Sequence, residues 1–138
     1  MAGLTLAAPV DTAIRAHGRA TYPHECCGAL LGRDGVVHEA HGLPNTTDEG
    51  PRRRFLVQPG DYRVAEARAR ETGFDLLGFY HSHPDHPAVP SQYDLDHAWP
   101  SFHYVIVSVQ AGADADLRSW VLRGDRSQFD EEPVTLKP

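Results

Sequence analysis

The residues with the most chemistry to offer lie in one stretch, Gly78-Phe-Tyr-His-Ser-His-Pro84, which runs on through Asp-His-Pro-Ala-Val-Pro-Ser91-Gln-Tyr-Asp94. In a strand, side chains two apart point the same way, so His81 and His83 project from one face while Ser82 points away. At a strand end their rings can converge on one ion, at about 2.0–2.1 Å from each nitrogen. Asp94 follows eleven positions after His83, beyond a loop stiffened by Pro84, Pro87 and Pro90. A carboxylate arriving there from the start of a helix supplies a third ligand. Two imidazoles and a carboxylate suit zinc, and three protein ligands leave a fourth position for water, as catalytic sites do.

Plainer readings fit the same residues. Two histidines two apart also pack or hydrogen-bond at a strand end without a metal. Ser91-Gln-Tyr-Asp94 also reads as a helix N-cap, with serine capping and an acid in the first turn. The combination favours the metal, because one strand end, one rigid loop and one helix start all carry ligand-type side chains. A hydrolytic zinc site also needs a base, since the bound water's pKa falls to about 7 and a carboxylate must take its proton and pass it on. Spacing does not choose that carboxylate among the 19 acidic residues.

The elements that must position these groups can be read from pattern. A first helix is expected from Pro9 to about Thr21, with Val10, Ala13 and Ile14 on its apolar face and Gly18 weakening its end. Cys26–Gly32 is a compact apolar run, and Asp34-Gly35 joins it to Val36–Ala40 as a hairpin. Pro44–Arg53 reads as a polar loop and Phe55–Val57 as a short strand. Pro59 opens a helix to about Thr72, closed by Gly73. A buried strand from Phe74 to Tyr80 feeds the histidines, and a short helix from Ser91 to Ala98 stops at Pro100. Phe102–Val109 and Leu117–Leu122 pair through Ala111-Gly-Ala-Asp, and the polar tail adds at most an edge segment. The order predicts an α/β or α+β fold.

Bulk properties bound the function. At 138 residues and 15.2 kDa, residues 1–138 are expected to form one domain with its own core. A formal charge of -6 gives no general reason to expect nucleic acid or an anionic membrane as partner, although Arg52-Arg53-Arg54 is locally basic. No apolar run approaches the roughly 20 residues of a membrane span, and the N-terminus does not read as a signal peptide. The two cysteines, Cys26 and Cys27, are neighbours whose internal disulfide would be strained, which suits a reducing, cytoplasmic setting.

Tyr22-Pro-His-Glu25-Cys-Cys-Gly-Ala-Leu-Leu-Gly32, taken with Gly78-Phe-Tyr-His81-Ser-His83-Pro84 and Pro90-Ser91-Gln-Tyr-Asp94, resembles the JAMM (MPN+) zinc metallopeptidase family. That pattern is an upstream glutamate, then His-x-His-Pro, seven residues to a serine and two more before an aspartate. The resemblance covers about Ala20 to Trp99 and points to the small stand-alone bacterial members. It implies a curved, largely antiparallel sheet flanked by helices, with a cytidine-deaminase-like architecture. It implies one Zn2+ per chain on His81, His83 and Asp94. Glu25 would hold and deprotonate the catalytic water, and Ser91 would donate to the developing oxyanion. Glu25 also stands at the entry of an apolar strand, where desolvation would raise its pKa toward the working range of a base.

The implied substrate is a ubiquitin-like or sulfur-carrier β-grasp protein, cut after its C-terminal Gly-Gly to release a C-terminal amino acid or short extension. Isopeptide deconjugation from lysine is the alternative, and a non-catalytic scaffold is a further one. A zinc deaminase is set aside because its H-x-E and P-C-x-x-C pattern is absent. Cys27 shares a strand face with Glu25 but reads as a small buried hydrophobe. His86 and His97 flank the motif, where they could bind a substrate carboxylate or stand behind the ligands, and the plainer reading of each is a surface or satisfied histidine. Trp99 and Trp120 are expected in the core or at its rim.

Overall fold

In the computed structural model, which describes residues 3–44 and 59–138, the chain runs β1 (Leu4–Ala7), α1 (Ala8–Thr21), β2 (Cys27–Arg33), β3 (Val36–Leu43), α2 (Pro59–Thr72), β4 (Asp75–Pro84), α3 (Gln92–His97), β5 (His103–Gln110), β6 (Ala113–Leu122), β7 (Phe129–Glu132) and β8 (Val134–Lys137). The eight strands form one sheet in the order β7-β6-β5-β4-β2-β3-β1-β8. Hairpin neighbours and β2–β4 pair antiparallel, whereas β4–β5, β3–β1 and β1–β8 pair parallel. The fold is α+β, and the sheet is mixed, with more antiparallel than parallel pairing.

The two edge strands, β7 and β8, are separated in the chain by Pro133 alone. Opposite edges one residue apart force the sheet to curl until its margins meet. The Pro133 carbonyl accepts from the Leu4 N–H at 2.9 Å, at the start of the parallel pairing of β1 with β8. The tail therefore contributes two edge strands rather than one segment. Strand β1 was not expected from pattern either, because four residues running directly into a helix carry too little alternation.

Helices lie on both faces. Val10 and Ile14 of α1 bury against Cys26, Leu30, Tyr80, Val105 and Val107, while Ala65 and Ala69 of α2 join Cys27, Ala29, Leu31, Phe79 and Tyr104 on the other face. Ala13 is exposed, contrary to expectation; the buried stripe is Val10, Ile14 and Gly18. Gly18 does not end the helix but lets it approach Val107, Val109 and Ser82 closely. The Asp34-Gly35 hairpin forms as expected, with φ of 53° and 75° at the two turn residues. The polar loop beyond Pro44, the Phe55–Val57 strand and the Arg52–Arg54 patch lie outside the described residues. No helix among the described residues is long and apolar enough to cross a membrane.

Strand β4 runs further than expected. Instead of ending before the histidines it carries them, because His81, Ser82 and His83 stay paired in parallel with Ile106, Val107 and Ser108 of β5. That pairing depends on Gly78, where an added Cβ would run into the His103 backbone. Backbone does not yield as a flexible side chain does, so Gly78→Ala is expected to destabilise by about 3 kcal/mol, the upper end for overpacking. Thermal unfolding should show a Tm lowered by about 10 °C; an unchanged Tm would mean that β4 and β5 are not held this closely.

Candidate metal centre

Alternation along β4 sends Phe79, His81 and His83 to the α2 face, and α3 reaches that face through Leu95 and Ala98. Asp94 in the first turn of α3 thus arrives over the histidines. His81 Nε2 and His83 Nε2 stand 3.1 Å apart, and Asp94 Oδ2 is 3.3 Å from the first and 3.2 Å from the second. Four-coordinate zinc with bonds of about 2.0–2.1 Å separates its ligand atoms by about 3.3–3.4 Å at tetrahedral angles. The three side chains therefore present one face of such a tetrahedron. Among the described residues they are the one group of three or more His, Cys, Asp or Glu side chains that could hold a metal ion.

The donor chemistry fits as well. His83 Nδ1 donates to the Pro87 carbonyl at 2.8 Å, which leaves a lone pair on its Nε2. That lone pair faces the Asp94 oxygen at 3.2 Å, an arrangement that calls for a proton or a cation between them. Burial by itself would raise the Asp94 pKa, but the charges of His81 and His83 and their hydrogen bonds outweigh it and hold the carboxyl well below the usual range. His81 shows the reciprocal effect: burial would lower its pKa, but Asp94, with a smaller contribution from Glu25, leaves it raised.

Ser91 and Asp94 also form a capping box. The Asp94 N–H donates to Ser91 Oγ at 3.0 Å and the Ser91 N–H donates to Asp94 Oδ2 at 2.9 Å. Capping and presentation of a ligand are thus compatible: the cap fixes the rotamer that aims Asp94 at the histidines. Ser91 Oγ accepts from the backbone, so its own proton is available to an acceptor outside the helix.

Glu25 lies just before β2, with only 7% of its surface exposed. Cys27 pairs with His81, and the pairing continues one step further: the Ser82 N–H donates to the Cys26 carbonyl at 3.2 Å and the Cys26 N–H donates to Ser82 Oγ at 2.9 Å. This fastens the Glu25 segment alongside β4, and alternation turns Glu25 toward the histidine face. The effect of its charge on His81 reflects that nearness. Ser82 was read from pattern only as pointing away; its role in holding Cys26 needed the pairing of β2 with β4.

Other residues anchor the connecting loop without a signal in the sequence. Trp120 Nε1 donates to the Ala88 carbonyl at 3.0 Å, and Ser108 Oγ donates to the His86 carbonyl at 2.6 Å. Asp85 accepts from Tyr22 Oη and from the Ala111 N–H, both at 2.7 Å. Arg126 donates to the Ala98 carbonyl at 2.6 Å, closing the far end of α3. His86 and His97 are exposed and stay outside the cluster; His97 bonds the Tyr93 carbonyl and stacks on the Tyr93 ring. Cys27 is buried in the core with its thiol directed to the Leu43 carbonyl, and burial pushes its pKa upward. Trp99 packs among Tyr62, Phe79 and Phe102.

Comparison with known proteins identifies the family and the fold. Residues 7–123 match the family described as prokaryotic homologs of the JAB domain. The chain is 36% identical over 112 residues to the desampylase of Haloferax volcanii, covering 76% of this chain and 80% of that one. It is 32% identical over 135 residues to the CysO-cysteine peptidase of Mycobacterium tuberculosis, covering 96% and 90%. A solution structure of a protein from Desulfitobacterium hafniense superposes with a TM-score of 0.83 at 34% identity, over 97% of this chain and 92% of that one. With a histidine pair, a helix-borne aspartate and a buried glutamate assembled on this fold, the chain belongs to the prokaryotic JAB-domain family and is a peptidase of the JAMM type.

Proposed function

We propose that this protein is a zinc peptidase that cuts after the C-terminal Gly-Gly of a ubiquitin-like or sulfur-carrier protein, releasing a C-terminal amino acid or short extension. The observation that carries the reading is the triangle of His81, His83 and Asp94 ligand atoms beside the buried Glu25. Two relatives bear on the substrate. One is named a CysO-cysteine peptidase and aligns along nearly the whole chain, and one is named a desampylase. The first favours release of a terminal amino acid. The second supports lysine isopeptide cleavage as the rival reading. A non-catalytic scaffold is disfavoured because all five site residues are present.

His81, His83 and Asp94 would hold one zinc, which supplies Lewis-acid polarisation of the scissile carbonyl and acidifies water to a pKa of about 7. Glu25 accepts the proton of the attacking water on its carboxylate and delivers it to the leaving nitrogen. The Ser91 hydroxyl donates to the carbonyl oxygen as negative charge develops there. The capping box keeps that hydroxyl next to Asp94 without a rearrangement.

The test is mass-spectrometric cleavage by zinc-loaded protein of a carrier ending in Gly-Gly, extended by one amino acid or joined to a lysine side chain. Faster loss of the terminal amino acid is expected; faster isopeptide cleavage would make the protein a deconjugase, and no cleavage of either would remove the carrier from the reading. In the same assay Ser91→Ala should lower kcat by about 10²–10³-fold, while costing about 1 kcal/mol of stability through the lost cap. A kcat within threefold of wild type would assign Ser91 to the cap alone.

A further inference from the structure

Glu25 belongs to the connector 22–26, which joins the end of α1 to the start of β2. The last residue of that connector is fastened to β4, where Cys26 and Ser82 exchange two hydrogen bonds. Its first residue is fastened as well. The Tyr22 hydroxyl donates to Asp85 Oδ2 at 2.7 Å, across 63 positions of sequence. Ser82 and Asp85 stand on either side of His83 in the chain, so two tethers lead from the Glu25 segment to the two flanks of one metal ligand. We infer that Tyr22, acting through Asp85, is a positioning residue that fixes where the Glu25 carboxylate stands relative to His81, His83 and Asp94. The inference deepens the peptidase reading and rests on Glu25 as its base.

Asp85 is itself held on two sides. Its φ of 58° lies in the left-handed region, which aspartate and asparagine tolerate better than most residues with a side chain. The Asp85 N–H donates to the Val109 carbonyl at 2.6 Å, and Asp85 Oδ1 accepts from the Ala111 N–H at 2.7 Å. Both bonds lead to the end of β5 and the turn after it, so Oδ2 is presented to Tyr22 from a fixed point. The Tyr22 ring lies beside the same turn, where a Cβ added at Gly112 would stand 3.8 Å from Tyr22 Cδ1. The end of α1, the loop after β4 and the β5–β6 turn thus meet at one carboxylate.

The connector turns as a unit with the end of α1. The His24 N–H donates to the Thr21 carbonyl at 2.8 Å, and Thr21 Oγ1 donates to the His24 carbonyl at 3.1 Å. The Tyr22–Asp85 bond ties the near end of that unit to the histidine strand, as the Cys26–Ser82 bonds tie its far end. A general base works within about 2.6–3.2 Å of the proton it takes, and a misplacement of about 1 Å can cost about 10²-fold in rate. Because the bond lies at the surface and outside both apolar clusters, its loss should slow the reaction while sparing the fold.

Tyr22→Phe removes the hydroxyl and keeps the ring. With zinc-loaded protein, its kcat for the Gly-Gly carrier should fall about tenfold, with KM and zinc content within about twofold of wild type and Tm within about 2 °C. Asp85→Gly accommodates the positive φ but offers no acceptor, so it should lose at least as much, and adding Tyr22→Phe to it should cost nothing further. Asp85→Asn, whose amide suits the backbone and still pairs with a hydroxyl, should stay within about threefold of wild type. The Glu25→Gln background separates positioning from a general structural role: there Tyr22→Phe should change the residual rate by less than about twofold, since no base remains to be placed. Backbone 15N relaxation reads the tether without turnover. The Glu25 amide order parameter should drop from about 0.85 toward about 0.6 in Tyr22→Phe while that of Cys26 holds. An unchanged kcat in Tyr22→Phe, a full tenfold loss added to that of Glu25→Gln, or an unmoved order parameter overturns the inference. If wild type cuts neither form of the carrier, the carrier reading fails by itself; a drop in the order parameter then still upholds the tether, and an unmoved one overturns it.

Discussion

Glu25→Gln is expected to lower kcat for the carrier substrate by about 10³-fold, within the range that positioned general acid–base groups contribute. Glutamine keeps the size and a hydrogen-bonding oxygen but cannot take up a proton at neutral pH. The backbone around it is held independently of the side chain, through the paired bonds between Cys26 and Ser82. The fold should therefore survive, with a Tm within about 2 °C of wild type and an unchanged metal content. KM should move by no more than about threefold, because the loss falls on proton transfer and not on binding. The measurements are steady-state cleavage, metal analysis and thermal unfolding on one preparation. A variant retaining more than a tenth of the wild-type rate would remove Glu25 as the base. A variant losing its metal would show instead that the carboxylate helps assemble the centre.

How far such a site can be read from sequence depends on the range of the contacts involved. The histidine pair is legible because strand periodicity alone puts His81 and His83 on one face, and Ser91 to Asp94 is legible because capping is local. What brings them together was less so. The pairing of His81 with Ile106 extends β4 past the point where the apolar run stops, and only the β5 partner reveals it. Ser82 and Cys26 are 56 positions apart, and Trp120 reaches Ala88 from 32 away. No local pattern announces contacts of that kind. The short strands β1, β7 and β8 escaped for a related reason: four residues hold only two alternations, and each is placed by its partner strands, β1 by β3 and β8, and β7 by β6. Glu25 is the mixed case. Family resemblance singles it out among the acidic residues, and the β2–β4 register supplies the physical reason it faces the histidines.

His83→Ala is expected to abolish metal binding and cleavage together, whereas His86→Ala and His97→Ala leave both within twofold of wild type. The contrast follows from geometry. His83 contributes one corner of a triangle whose other corners lie 3.1 and 3.2 Å away, whereas the His97 ring bonds the Tyr93 carbonyl and neither flanking histidine belongs to the cluster. Two ligands in place of three leave too little to retain the ion, so metal analysis should find about one zinc per wild-type chain and less than about 0.1 in His83→Ala. Metal bound only by the folded state also stabilises it, by about 2.7 kcal/mol when the free ion is at a hundred times its Kd. Chelator treatment of wild type should therefore lower Tm by roughly 10 °C. The same treatment should leave His83→Ala unmoved, since there is nothing to withdraw. Asp94→Asn separates charge from shape: an amide oxygen can still accept from the Ser91 N–H and keep the helix cap, but it is a much weaker ligand. That variant should fold with α3 intact and bind zinc at least tenfold more weakly. Full metal retention in His83→Ala, or a chelator-insensitive Tm in wild type, would break the link between this triangle and the ion on which the proposed chemistry depends.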